Sequence, residues 1–342
     1  MRQFEGYQRG VNLGGWFSQC DHRQETYDHF ITEADFDEIR AWGLDHVRLP
    51  VDYELLETKD GQHLEEGFER LQRVVDWCGS RGLNLVLDLH KAYGFSFDKG
   101  EQEHGFFQDE ALQERFYRLW EAIARRFGRY PERVAFELLN EVTDRAYCEP
   151  WNRIAAACIA RIRPIAPETW ILVGGYYNNS VVALKDLLPP PDGRIVYNFH
   201  CYDPIIFTHQ GAPWVDGMDT SFRIGLSQPC AELAAATERL LPRAADGLRA
   251  QPADQPLSSA YFEASFAEAV RVAEERNVPL YCGEYGVIDR ADPADTVQWY
   301  RLIHTAFTKA GIAHAAWSWR AMDFGLSDPR LEGVRPELIP LL

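Results

Sequence analysis

The sequence predicts an α/β protein built as one domain over residues 1–342. The expected form is a closed (β/α)8 barrel of the TIM-barrel type with a cap-like insertion after strand six. Three observations point there. Eight short apolar runs alternate with longer amphipathic stretches along 342 residues, and eight parallel strands is the number that closes a barrel. Several runs lack polar–apolar alternation, as strands buried on both faces do. An open doubly wound sheet would usually carry a Gly-rich phosphate turn after its first strand, and GGW at 14–16 is not GxGxxG.

The expected strands are GVNL (10–13), DHVRL (45–49), LNLVLDL (83–89) and RVAFELL (133–139), then WILVG (170–174), IVYNF (195–199), PLYC (279–282) and AHAAWS (313–318). Between them lie helical patterns. Thr32 followed by Asp35 opens a helix that stops at Gly43, which is a capping signal ahead of an apolar run. Leu71, Val74, Val75 and Cys78 share one face of 64–81 before Gly82. Leu112, Phe116, Leu119, Trp120 and Ile123 recur at helical spacing in 109–127 before Gly128. Asp292-Pro293 starts a further helix that runs to Gly311, with proline at its first position. Residues 201–278 exceed what one βα unit needs. Their Pro-rich and helix-like pieces, QPADQP and ELAAATERLL, predict a cap over roughly 206–262.

Composition excludes several classes. The chain is 46% hydrophobic and 25% charged, the balance of a globular protein. Its 35 Lys+Arg against 52 Asp+Glu give a net charge of −17, which repels polyphosphate, so no nucleic-acid partner is expected. No run approaches the length of a membrane span, so no membrane association is expected either. The start MRQFEGYQRG has no apolar leader, and seven scattered cysteines without a CxxC pair read as free thiols. The expectation is a cytoplasmic monomer.

In a barrel of this kind the polar residues at the C-terminal strand ends form the reactive face. Strand two ends at Arg48, strand three at Asp88 and His90, and strand four at Asn140 and Glu141. Strand six ends at Asn198, His200 and Tyr202, strand seven at Glu284, and strand eight at Trp317, Trp319 and Arg320. Glu141 and Glu284 lie three strands apart and so face each other across the mouth. A pair of carboxyls flanking a cleft suits acetal hydrolysis, one protonated to donate and one ionised to attack or to activate water. Mutual repulsion supplies the asymmetry by raising one pKa. No cofactor and no metal is expected. His90, His200 and Glu284 offer a two-His-one-carboxylate set, yet no HExxH and no Cys/His ligand pair occurs, and GxSxG is absent. Trp16, Tyr93, Phe207, Trp214 and Trp317 fall in expected top-face loops as candidate sugar platforms, while Trp42, Trp77, Trp120 and Trp299 fall in helices as core.

Seven blocks in order, RGVNLGGW, HVRLP, LVLDLH, FELLNEV, YNFHCYDP, YCGEYGV and AAWSW, span residues 9 to 319. In these the chain resembles glycoside hydrolase family 5, a family of retaining (β/α)8 enzymes. GWFSQ, FITEADFDEI, FTHQ, the long insertion and MDFG resemble more narrowly its cytosolic endoglucanase C type (cellulase family A). The resemblance implies cleavage of β-1,4 and mixed-linkage β-1,3-1,4 glucans or cello-oligosaccharides. It implies Glu141 as general acid/base and Glu284 as nucleophile, with Arg48 and Tyr202 holding the latter. It also implies Asn140 on the sugar 2-hydroxyl, His90 and His200 lining the same subsite, and Trp317 as its floor. Lys91 and Arg320 depart from the pattern and are expected at the subsite rim. A β-mannanase, an exo-β-1,3-glucanase, an oligosaccharide β-glucosidase and a non-catalytic sugar-binding protein are the rival readings.

Overall fold

Eight parallel strands stand where the apolar runs lie. In a computed structural model that describes residues 1–98, 104–240 and 242–342, they are β1 (Arg9–Asn12), β2 (His46–Asp52), β3 (Asn84–Lys91) and β4 (Val134–Glu137), followed by β5 (Ile171–Val173), β6 (Ile195–Cys201), β7 (Leu280–Tyr285) and β8 (Ala313–Ala316). Each pairs with the next and β8 returns to β1, so the sheet closes. No helix among the described residues is long and apolar enough to cross a membrane.

Alternate residues of each strand point to opposite faces, and the two faces bury different things. Val86, Ala135, Leu172, Val196, Tyr281 and Ala315 point inward and form a floor, with Phe4 and Tyr7 plugging it from below. Leu85, Leu87, Phe136, Phe199 and Cys282 point outward into the larger core beneath the helices. Those helices are α1 (Glu33–Ala41), α2 (Glu65–Arg81), α3 (Glu110–Phe127), α4 (Cys148–Ile162), α5 (Cys230–Leu240), α6 (Ser259–Arg276) and α7 (Pro293–Ala310). The expected caps are in place. Asp35 accepts the Thr32 backbone N–H at 2.7 Å. Asp292 accepts from Ala294 at 2.8 Å, and Gly82 and Gly311 end their helices at φ 64° and 67°, where glycine suffers no Cβ clash.

Two crossovers depart from the regular unit. After β5 the helix is reduced to 3₁₀ turns over Val181–Asp186, and the three prolines at 189–191, which have no N–H to donate, prevent its extension. After β6 the chain carries α5 and irregular segments before α6 begins at Ser259. Residues 259–262, expected in the insertion, are thus the first turn of α6, which packs against α7.

Candidate active site

Counting inward positions up the strands leads from the apolar floor to a charged layer and then to the mouth. On β3 the succession is Val86, Asp88, His90; on β6 it is Val196, Asn198, His200; on β4 it is Ala135, then Glu137. β7 breaks the alternation. Tyr281 faces in and Cys282 out, so Glu284 would face out, but a register shift sets His200 opposite Glu284 directly after Phe199 opposite Cys282. This bulge re-aims Glu284 into the barrel. Gly283 is required at the bulge, since a Cβ there would sit 2.7 Å from the Asn198 amide oxygen.

Arg48 is the hub of the charged layer and is fully buried. Its Nε and Nη2 donate to the two oxygens of Glu137 at 2.7 and 2.8 Å, a bidentate fork. Nη1 donates to Glu284 Oε1 at 2.7 Å and to Asn12 Oδ1 at 2.9 Å. Nη2 also reaches Asn140 Oδ1 at 2.8 Å and lies 3.0 Å from Asp88. Burial disfavours the guanidinium charge, yet Asp88, Glu137 and Glu284 outweigh it and raise its pKa further above the usual arginine value. Asn198 donates to Glu137 at 2.7 Å. The Tyr202 hydroxyl, kept protonated by burial and by the neighbouring Glu284 carboxylate, donates to Glu284 Oε2 at 2.9 Å. Both oxygens of Glu284 are therefore fixed by donors that lose no proton near neutral pH.

Glu141 is held differently. It follows the end of β4 with φ 39°, a left-handed conformation that costs a non-glycine residue energy and that clusters at functional positions. Burial pushes its carboxyl pKa up, while a hydrogen bond from Asn178 pulls the other way. His200 Nδ1 lies 2.7 Å from Glu141 Oε1 and 3.6 Å from Glu284 Oε2. Burial pulls the His200 pKa down to about 4, so the ring is neutral, with Nδ1 facing both carboxyl groups. A carboxylate oxygen of Glu141, a nitrogen of His200 and a carboxylate oxygen of Glu284 all fall within 4.8 Å of one another.

Around this pair opens a cleft of about 700 Å³. His90 and Trp317 form one wall, their rings parallel with centroids 6.0 Å apart. Burial pulls the His90 imidazole down, but Asp88, 2.6 Å from Nδ1, outweighs it and raises its pKa. Gly14 lets the indole lie flat, because a Cβ there would stand 2.6 Å from the ring.

All eight residues singled out from the sequence meet here: Arg48, His90, Asn140, Glu141, His200, Tyr202, Glu284 and Trp317. Other expectations need correction. Arg320 is not at the rim; it donates to the Phe30 carbonyl at 3.0 Å and to Asp35 at 2.7 Å, tying the segment after β8 to α1. Lys91 pairs with Asp98 at 2.9 Å, and of these two only Asp98 lines the cleft. Trp16 and Phe207 are core residues, Trp16 being stacked on Phe17 and Trp77. Tyr93 packs under Arg115 at 3.8 Å. Trp214 does line the cleft and is exposed. His90 is bonded to Asp88 and stands outside the close trio of Glu141, His200 and Glu284, so the rival two-His-one-carboxylate set does not assemble.

Three supporting residues went unnoticed in the sequence. Glu137 sits within an apolar run, where one buried carboxylate is the only signal. Asn12 is the one polar side chain of GVNL and the last residue of β1. Asn178 lies in the YYNN turn after β5, and its Nδ2 donates to Glu141 Oε2 at 3.0 Å.

Residues 5–323 match the family described as Cellulase (glycosyl hydrolase family 5). Cellodextrinase A of Ruminococcus flavefaciens is 47% identical over 313 residues, covering 92% of this chain and 85% of that protein. Endoglucanase C of Acetivibrio thermocellus is 34% identical over 342 residues, covering 98% of each. Endoglucanase Cel5A from the hyperthermophilic Thermotoga maritima superposes with TM-score 0.77 at 25% identity, covering 98% of this chain and 97% of that one. With nearly the whole chain matched and a relative at close to half identity, this protein belongs to the cellulase family, glycosyl hydrolase family 5.

Proposed function

We propose that the chain is a retaining endoglucanase-type hydrolase in which Glu284 is the nucleophile and Glu141 the general acid/base. Glu284 attacks the anomeric carbon while Glu141 protonates the leaving oxygen; Glu141 then deprotonates the water that releases the glycosyl-enzyme. The observation that carries this reading is the approach of a carboxylate oxygen of each glutamate to within 4.8 Å. Retaining pairs stand about 5–5.5 Å apart, against about 6.5–9.5 Å where a water must fit between acid and base. Arg48 and Tyr202 keep Glu284 ionised and aimed. Burial keeps Glu141 able to hold a proton nearer neutral pH. Asn140, with its Oδ1 taken by Arg48 and its amide nitrogen 3.5 Å from His90 Nε2, keeps an amide hydrogen for the sugar 2-hydroxyl, and Trp317 offers a flat face to the ring.

The substrate reading is a β-1,4-glucan met as cello-oligosaccharides or soluble chains. It is supported by the likeness to a cellodextrinase and to an endoglucanase. We read residues 206–258 as a cap over the cleft, supported by His209, Trp214 and Val215, which lie along its wall. The seven cysteines are all thiols, which supports a reducing, cytoplasmic setting. Product analysis on cellopentaose, carboxymethylcellulose, laminarin and mannan tests the reading. Short cellodextrins from cellopentaose, with laminarin and mannan untouched, support it; release from mannan or laminarin alone would refute it.

A further inference from the structure

The acid/base and its histidine are gripped by two consecutive asparagines that no strand supplies. Tyr177, Asn178 and Asn179 have φ of 53°, 56° and 55°, three successive left-handed residues. Asparagine tolerates that region better than most side chains. The turn is anchored where Asn178 N–H donates to the Val142 carbonyl at 3.0 Å, one residue beyond Glu141. From it Asn178 Nδ2 donates to Glu141 Oε2 at 3.0 Å, and Asn179 Nδ2 faces His200 Nε2 at 3.4 Å.

The two contacts divide the work between the two oxygens of Glu141. Asn179 is fully buried, and its Oδ1 has no hydrogen-bond partner, so its amide is turned toward the histidine at the cost of an unpaired acceptor. By donating to Nε2 it leaves the imidazole proton on Nδ1, which donates to Glu141 Oε1 at 2.7 Å. Each oxygen of Glu141 then has one partner, Oε1 facing His200 Nδ1 and Oε2 accepting from Asn178. We infer that Asn178 is a positioning residue that fixes Glu141 Oε2 and strengthens Glu141 as an acid, with Asn179 holding His200 against Oε1. The inference rests on the reading of Glu141 as acid/base. A donor to a carboxylate favours its ionised form, so removing the donor raises the pKa. The other groups that face Glu141 are Arg48 from β2, His90 from β3, Asp98 from the following loop, His200 and Tyr202 from β6 and its end, and Glu284 from β7. None of them is altered by a change at position 178.

The test is the pH dependence of kcat/KM on cellotetraose and on dinitrophenyl cellobioside for the wild type, Asn178→Gly and Asn178→Asp, with Glu141→Ala alongside. Glycine removes the amide and suits the left-handed backbone, and aspartate keeps the shape but adds a like charge. The alkaline limb on cellotetraose should move up by about one pH unit in Asn178→Gly and further in Asn178→Asp. At the optimum, cellotetraose turnover should fall several-fold while the activated glycoside, which needs no proton, is little affected. An alkaline limb that stays put in both folded variants overturns the inference. That result is distinct from failure of the underlying reading, which would appear as a Glu141→Ala enzyme still fully active on cellotetraose.

Discussion

Glu284 and Glu141 approach within 4.8 Å, yet opposite kinds of structure hold them. Glu284 rises from a strand and is braced from below by Arg48, itself braced by Glu137, Asp88 and Asn12 in a layer closed to water. Glu141 sits past its strand on a left-handed residue, and its partners come from a loop asparagine and a neutral histidine. The difference follows the chemistry. A nucleophile should stay ionised and still, so a buried permanent cation suits it. An acid/base must take and give a proton, so neutral donors and a pKa raised by burial suit it.

Breaking the nucleophile side should have the largest effect. Glu284→Ala should lower kcat on cello-oligosaccharides by about 10⁴-fold or more. Azide should partly restore turnover of an activated glycoside by filling the vacated space. A variant with near wild-type kcat would remove Glu284 from the mechanism. Arg48→Met comes next, because it leaves Glu137 and Asp88 buried with no cation between them. Urea unfolding should register a loss of about 3–5 kcal/mol, and an unchanged midpoint would show that the layer does not depend on its guanidinium.

Breaking the acid/base side should cost rate without costing the fold. Glu141→Ala should reduce cleavage of natural substrates by about 10²–10⁴-fold while sparing the first step on dinitrophenyl glycosides. Equal loss on both substrates would contradict the division of roles. The smallest effect concerns His200, whose folded pKa of about 4 lies below its unfolded value of 6.5. The unfolded chain binds that proton first, so the stability from keeping the ring neutral is present above pH 6.5 and is lost as pH falls toward 4. His200→Gln should make the acid-side fall in unfolding free energy shallower by about 1–3 kcal/mol. An unchanged slope between pH 6.5 and 4 would argue against a buried neutral ring.

The same contrast explains what could be read in the sequence. β2, β3, β6 and β7 are largely apolar runs interrupted by polar residues toward their C-terminal halves, and that change is visible in composition alone. Hence Arg48, His90, His200 and Glu284 could be named from order and spacing. Glu137 could not, because its register position inside the barrel depends on strands distant in sequence. Asn178 could not, because a left-handed turn after a three-residue strand leaves only a YYNN signature. The same limit applied to Arg320, which sits beside a cleft wall in sequence but is drawn back by Asp35 on α1. Trp16 and Phe207 fell in loops that fold inward, and their burial is set by tertiary packing, not by local pattern.

The account rests on Glu284 as the atom donor to the anomeric carbon. Incubation with a 2-deoxy-2-fluoro cellobioside bearing a good leaving group, followed by peptide mass spectrometry, tests that directly. The expected result is one fluoroglycosyl adduct on the peptide containing Glu284, formed as activity is lost. An adduct on Glu141 instead, or full inactivation with Glu284 unmodified, would contradict it.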